Sequence, residues 1–282
     1  MKYIIGLDLD GTLLTDEKSI LEVDKNIIIH WLDSQQHVVI VTGRRYYSAL
    51  EILQSHSLYL PIISNNGCLI RDKEERTLYR DIFYKDELLK IINTYPSFDV
   101  HPVFHVDGYH QGFDMVYFDM DKNKNTIDYC SDGLDRTIVA HSLNQVLNLD
   151  HLAIVFVGDV KNLFSYQSYL NEKYPSIFNI HILENLKSNS SIMEVLTNRT
   201  NKWIGLQKYA DFYKIDHDNI ITVGDDTNDI AMVTQAKYGI AMKNGGNSLM
   251  ELATRISKRD NNHGGAVHSV KELLERLNKY EN

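Results

Sequence analysis

The apolar run Tyr3-Ile4-Ile5-Gly6-Leu7 passes without a spacer into Asp8-Leu9-Asp10-Gly11-Thr12, and this junction constrains the fold more than any other stretch. A short, continuous apolar run of this kind reads as a strand buried on both faces. Two carboxylates at the end of a buried strand have no structural use, because unpaired buried acids are costly. They call for a compensating charge, and a bound cation is the simplest one. The junction therefore predicts a metal-assisted site at a strand end, with one aspartate free to act as a nucleophile.

The same grammar recurs along the chain. Val38-Val39-Ile40-Val41 ends in Thr42-Gly43-Arg44, and Leu60-Pro61-Ile62-Ile63 ends in Ser64-Asn65-Asn66-Gly67. Late in the chain, Ile220-Ile221-Thr222-Val223 ends in Gly224-Asp225-Asp226-Thr227-Asn228-Asp229, and a further strand is predicted over 238–242. Helical patterning predicts helices over 24–34, 46–56 and 202–213. A closing amphipathic helix over 267–280 carries Val270, Leu273, Leu274 and Leu277 as its stripe. Continuous apolar strands alternating with helices predict an α/β fold, a Rossmann-like doubly wound parallel sheet covered on both faces.

The middle of the chain reads differently. Phe104-His105-Val106 and Tyr109-His110-Gln111 flank Asp107-Gly108, a two-residue hairpin signal. In that register Val106 pairs with Tyr109, and His105 faces His110 across the strands. Strands over 152–157 and 178–183 bracket a helix over 162–174, which predicts an α+β unit. No linker rich in Pro, Gly or Ser separates two halves, so the second domain is expected as an insertion. The core is then 1–82 and 191–282, and the inserted α+β domain is 83–190.

Twenty-nine basic residues against 38 acidic ones leave a net charge of −9. A chain of this sign is not built to grip nucleic-acid phosphates, so an anionic substrate has to be drawn by a local site. No run approaches the roughly 18 apolar residues of a membrane span. The N-terminal run is too short and too acidic for a signal peptide, so the expected location is the cytoplasm. Cys68 and Cys130 have neither zinc-ligand nor redox-pair spacing and read as reduced, buried thiols.

Each polar cluster has a plain explanation when taken alone. Thr42-Gly43 and Asn66-Gly67 are turn chemistry, and Asp226 or Thr227 suits a helix cap. Five acids at two strand ends (Asp8, Asp10, Asp225, Asp226 and Asp229) are not explained that way. Ligands of open α/β sheets bind beyond the carboxyl ends of the strands, where all these clusters fall. An all-oxygen donor set favours Mg²⁺ over zinc.

Taken together, Asp8-Leu9-Asp10-Gly11-Thr12, Thr42-Gly43-Arg44, Lys202 and Gly224 through Asp229 resemble the four motifs of the haloacid dehalogenase superfamily, in the order and spacing of its phosphatases. The insertion between the second and third motifs is similar to the Cof-type branch with a type-two-B cap. Asn66-Gly67, Ile240-Ala241-Met242 and the run from Asn261 to Gly265 extend the likeness. The chain departs from the pattern at Trp203, which follows Lys202 where a glycine is usual, and at Lys243-Asn244, where Gly-Asn is usual. Trp203 reads as a core aromatic and Lys243 as a solvated turn residue. Lys208 is the nearest rival to Lys202 but sits about two turns further into the same helix. Arg44 is usual beside the second motif, and Arg45 reads as a solvated helix start.

The resemblance implies a Mg²⁺-dependent phosphatase acting on small phosphorylated metabolites, sugar phosphates or phosphorylated cofactors, through an aspartyl-phosphate. By that likeness Asp8 is the nucleophile and Asp10 the acid and then the base. Thr42 with Gly43, Asn66 and Asn228 hold the phosphate, and Lys202 neutralises its charge. Mg²⁺ is held by Asp8, the Asp10 carbonyl and Asp225, with Asp226 and Asp229 behind them. The cap is expected to close over the leaving group and exclude water. Two alternatives stand beside this reading. A phosphomutase on the same fold would want a cap rich in arginine, and 83–190 holds only Arg136. A regulatory or binding protein on this fold would have lost turnover. The partner expected is a small metabolite, with no nucleic acid and no membrane.

Overall fold

Runs of β-branched residues form the first sheet. The chain opens with β1 (Ile4–Leu7), α1 (Glu22–Asp33), β2 (His37–Val41), α2 (Tyr46–Ser55) and β3 (Ile62–Ser64), then adds β4 (Leu69–Arg71) and β5 (Thr77–Arg80). The middle contributes α3 (Lys85–Ile92), β6 (His101–Val106), β7 (Met115–Phe118), α4 (Lys124–Cys130), β8 (Thr137–Ala140) and α5 (Leu143–Leu147). It continues with β9 (His151–Gly158), α6 (Val160–Lys173), β10 (Phe178–Leu183) and β11 (Ser191–Thr197). The remainder is α7 (Lys202–Tyr213), β12 (Ile220–Gly224), α8 (Ile230–Gln235), β13 (Tyr238–Ala241), α9 (Asn247–Leu252) and α10 (Gly265–Tyr280). This computed structural model describes residues 2–183 and 191–280. It divides into two units, Met1–Arg80 with Thr200–Asn282, and the inserted Asp81–Arg199.

The first unit is built on a seven-stranded sheet of order β13-β12-β1-β2-β3-β4-β5. β13, β12, β1, β2 and β3 run parallel, with Ile4 opposite Ile220 on one side and His37 on the other. Residues of both parities along β1 and β2 are buried, as a parallel sheet covered on both faces requires. Ile4, Val39, Val41 and Ile63 pack with Trp203, Leu206 and Tyr209 of α7 and with Met232 and Val233 of α8. α1 packs on β2 and on α10, and α2 packs on β3. The antiparallel pair β4–β5 extends the sheet beyond β3 and was not anticipated from sequence. Its strands are short and carry Arg71 and Arg80, so periodicity gives little signal there. The fold is the doubly wound α/β core with an inserted α+β domain.

The inserted unit has a six-stranded sheet of order β10-β11-β9-β6-β7-β8, antiparallel except for the parallel pair β7–β8. Leu88 and Ile91 of α3 and Leu163, Tyr166 and Leu170 of α6 cover one face, over Phe104, Ile154, Phe156 and Met193. The tyrosines of α6 are thus part of a core: Tyr166 is buried, and Tyr169 and Tyr174 pack against the same cluster.

Two sequence expectations change here. Asp107-Gly108 does not make a two-residue turn. The φ of Gly108 is −111°, whereas that turn needs positive φ. The chain instead loops through Gly112, whose φ is +88°, and Val106 donates its N–H to the Asp114 carbonyl at 3.0 Å. His105 accordingly lies opposite Met115, not His110, and meets the Tyr129 hydroxyl at 2.9 Å. The second change is the boundary. β11 pairs with both β9 and β10, which places residues up to Arg199 in the inserted unit rather than ending it at 190. Within that unit Arg199 ties the two ends of the insertion together. It donates to Asp81 at 3.0 Å, to Glu87 at 2.5 Å and to the Ile82 carbonyl at 2.9 Å.

Candidate active site

β1 ends at Leu7, and Asp8 still donates its N–H to the Val223 carbonyl of β12 at 3.1 Å. The Asp8 side chain is thereby set at the carboxyl edge of the two central strands. The chain then turns sharply. Asp10 (φ −73°, ψ 124°) and Gly11 (φ 73°, ψ −1°) have the angles of a type II turn, which requires a positive φ at its third residue. Glycine is needed there twice over, because a Cβ on Gly11 would also collide with the Asp225 carboxylate. Asp225 lies beyond the end of β12, and the Thr12 hydroxyl donates to it at 2.9 Å.

Lys202 stands between two carboxylates. Its Nζ is 2.7 Å from Asp8 Oδ1 and 2.6 Å from Asp229 Oδ1, and only 1% of the residue is exposed. The Asn201 side chain caps α7 at the Ile204 N–H, which starts the helix so that Lys202 is its first residue. Asp229 is wholly buried and fully used. Its Oδ2 accepts the N–H groups of Asp225 at 2.9 Å and Asp226 at 3.1 Å. Carboxylate oxygens of Asp8, Asp225 and Asp229 lie within 4.8 Å of one another.

The charges are not balanced at this point. Burial raises the Asp8 carboxyl well above its ordinary value, against the pull of Lys202. Burial, and then Asp229, push Asp225 up to about 6. Burial works against the Lys202 ammonium, but Asp229 and Asp8 outweigh it and hold it charged. Three acids thus share one cation, and a second cation is what would relieve them. The donors are all oxygen, which suits a hard divalent ion. The carboxylates of Asp8, Asp225 and Asp229 therefore fit a divalent ion among them.

Asp10 is elsewhere engaged. Arg44 grips its carboxylate with both arms, Nε at 2.5 Å and Nη2 at 2.7 Å, and Lys18 adds a third contact at 2.7 Å. Burial alone would raise Asp10, but the hydrogen bonds from Arg44 and Lys18 prevail and hold it at about 2.

The other predicted residues fall around this centre. Thr42 follows β2, and its hydroxyl accepts the Arg44 N–H at 3.1 Å. Gly43 lies against Asn66, whose Oδ1 accepts from Asn228 Nδ2 at 3.0 Å. Asn228 is therefore tied to Asn66 and not to Lys202, which Asp8 and Asp229 orient instead. Asp226 caps the turn that follows it, accepting the Thr227 N–H at 2.7 Å. Trp203 is buried in the core beside Leu206, so the bulk next to Lys202 points into packing. Lys208 lies over the Tyr79 ring, away from the carboxylates. Arg45, expected to be solvated, is only 7% exposed. Cys68 and Cys130 are both buried, and neither is in a disulfide.

Three contributors were not singled out from sequence as site residues. Lys18 reaches Asp10 from a turn closed by the Lys18 N–H on the Thr15 carbonyl at 2.9 Å, a placement no local pattern announces. Asn244 donates to the Gly11 carbonyl at 2.8 Å and accepts the Asn261 N–H at 3.1 Å. An asparagine followed by two glycines signals a turn, and what it bonds to is set by tertiary structure.

A buried carboxylate beside a buried ammonium, with oxygen donors for a divalent cation, suits chemistry on an anionic electrophile such as a phosphoryl group. Comparison with known proteins points the same way. The family model for haloacid dehalogenase-like hydrolases matches residues 5–268. Two proteins of Bacillus subtilis named 5-amino-6-(5-phospho-D-ribitylamino)uracil phosphatase are similar over nearly their whole length. One, YitU, is 28% identical over 96% of this chain and 97% of its own. The other, YwtE, is 27% identical over the same shares. Among solved structures, a haloacid dehalogenase-like hydrolase from Bacteroides thetaiotaomicron superposes with a TM-score of 0.79 at 18% identity, covering 97% of this chain and 100% of that one. A Thermotoga maritima protein gives 0.80 at 21% identity, covering 96% and 97%.

Proposed function

From the premise that this chain belongs to the haloacid dehalogenase-like hydrolase family, we propose that it is a Mg²⁺-dependent phosphatase of small phosphorylated metabolites that works through a phosphorylated Asp8. The observation that carries this reading is the buried Asp8–Lys202–Asp229 contact at the ends of β1 and β12. A lysine with 1% exposure between two carboxylates is costly unless the site handles charge.

The residues divide the work by position. Asp8 attacks phosphorus in line as the bond to the leaving oxygen breaks, and Lys202 balances the charge that gathers on the phosphoryl oxygens. A bound Mg²⁺ would screen the repulsion between Asp8 and those oxygens. Asp229 keeps Lys202 charged and, through the N–H groups of Asp225 and Asp226, fixes the loop after β12. Thr42, Gly43, Asn66 and Asn228 line the ends of β2, β3 and β12 and supply donors for phosphate oxygens. Asp10 gives a proton to the departing alcohol and then takes one from the water that attacks the phosphorus of phospho-Asp8. To serve as the acid it has to leave Arg44 and Lys18, which keep it ionised in the arrangement described.

The names of the Bacillus subtilis relatives put a phosphorylated ribitylamino-uracil first among candidate substrates, followed by sugar phosphates and phosphorylated cofactors. Phosphate release from such a panel, with Mg²⁺ and with EDTA, tests the reading, with Asp8→Asn as the blank. Release that needs Mg²⁺ and is absent from the variant is the expected result. Release that ignores EDTA or survives the substitution overturns it.

A further inference from the structure

We infer that Asn244 is a positioning residue for the metal side of this site, acting through the turn that carries Asp10. The inference rests on the metal-assisted reading above.

The type II turn at Asp10-Gly11 fixes which way its central peptide stands, and with it the direction of the Asp10 carbonyl. The common alternative, a type I turn, reverses that peptide. The positive φ of Gly11 permits type II but does not enforce it, since glycine adopts either sign. A hydrogen bond pins the far end of the turn, where ψ is near 0° in either type. Asn244 Nδ2 donates to the Gly11 carbonyl at 2.8 Å, which sets the next peptide and so the ψ of Gly11. The amide cannot turn over freely, because its Oδ1 accepts the Asn261 N–H at 3.1 Å. Asn261 is buried, and its own Nδ2 donates to the Leu14 carbonyl at 3.0 Å and to Asp16 at 3.0 Å. The pair therefore holds the chain at Gly11 and at Leu14, on the C-terminal side of Asp10.

The loop that bears Asn244 is also bonded to the other acid. Met242 donates its N–H to the Gly224 carbonyl at 2.9 Å, and Gly246 donates its N–H to the Asp225 carbonyl at 2.8 Å. One short segment thus spans the loop of Asp8 and Asp10 and the loop of Asp225. Those loops are the two jaws of the proposed metal site, and Asn244 joins them alongside the direct contact of Thr12 with Asp225. Groups that orient metal ligands in this way strengthen metal binding without touching the ion.

Asn244 is exposed, so water takes the place of its side chain at the Gly11 carbonyl and the Asn261 N–H, and the fold is spared. The test is calorimetric titration of the metal-free protein with Mg²⁺, on wild type, Asn244→Ala and Asn262→Ala. Asn262 is the control, because among the described residues its side chain bonds only to Asp16, in the same loop. Asn244→Ala is expected to weaken Mg²⁺ binding on the order of 10-fold. Its metal-free unfolding midpoint should stay within about 2 °C of wild type, and Asn262→Ala should bind like wild type. Undiminished Mg²⁺ affinity in Asn244→Ala beside a wild type that binds Mg²⁺ overturns the tether alone. A wild type that neither binds Mg²⁺ nor needs it for phosphate release overturns the metal reading and the tether with it.

Discussion

Both units of the molecule bury charged groups, but they balance them differently. In the inserted unit Asp121, Asp81 and Glu87 meet their partners close by. Asp121 accepts from the Tyr95 hydroxyl at 2.7 Å and lies 3.0 Å from His101 Nδ1, while Asp81 and Glu87 share Arg199. In the first unit three carboxylates crowd one lysine at the ends of β1 and β12, and burial raises two of them. Paired burial holds a fold together. Unpaired burial is a cost that persists where something else supplies the missing charge. Burial raises Asp24 to about 6 as well, so it is the convergence of several acids on one lysine, not a raised carboxyl alone, that separates chemistry from structure.

Substitutions test that separation, and the largest effect belongs to Asp8. Asp8→Asn keeps the shape and removes the nucleophile, so phosphate release should fall to the blank while the unfolding midpoint holds or rises. Residual turnover above a few per cent of wild type would mean that Asp8 is not the attacking group. Next comes Lys202→Met, expected to cut kcat on the order of 10²-fold or more if the ammonium neutralises transition-state charge. A near-normal rate would move Lys202 to the structural side of the comparison.

The inserted unit should respond in the opposite way. Arg199→Met strands Asp81 and Glu87 and should cost about 2 kcal/mol of stability, read by denaturant unfolding, with kcat within a few-fold of wild type. A kcat loss as deep as that of Lys202→Met would erase the distinction between the two networks.

The smallest effect is on pH. The Asp225 carboxyl is raised to about 6 in the folded, metal-free protein, so the folded state binds a proton more tightly than the unfolded one. Its contribution to stability is present below the ordinary carboxylate value and is lost as pH rises through about 6. Mg²⁺ competes with that proton. The rise in unfolding midpoint on adding Mg²⁺ should therefore be larger at neutral pH than at pH near 5, by a few degrees. A shift independent of pH would show that the raised carboxyls and the metal do not share a site.

Much of the core was legible because its signals are local. A continuous apolar run followed at once by acids needs only the residue types and their order, and α7 runs from Lys202 to Tyr213 as its pattern predicts. What failed depends on partners distant in sequence. Asp10 is identical in type to Asp8 two residues away, yet Arg44 and Lys18 turn it to a different environment. The hairpin signal at Asp107-Gly108 is overridden by the longer loop, which closes on Asp114 and Gly112. β11 follows the polar run 184–190, and only its pairing with β9 and β10 assigns it to the insertion.

The central claim is that the uncompensated acids at the ends of β1 and β12 serve phosphoryl transfer with Asp8 as the attacking group. The most direct test is a single turnover with protein in excess over substrate, quenched in acid at successive times, digested and read by mass spectrometry. The account predicts a transient phosphoryl group on the peptide that carries Asp8, absent from Asp8→Asn. A phosphoryl group on any other residue, or full phosphate release by Asp8→Asn, would contradict it.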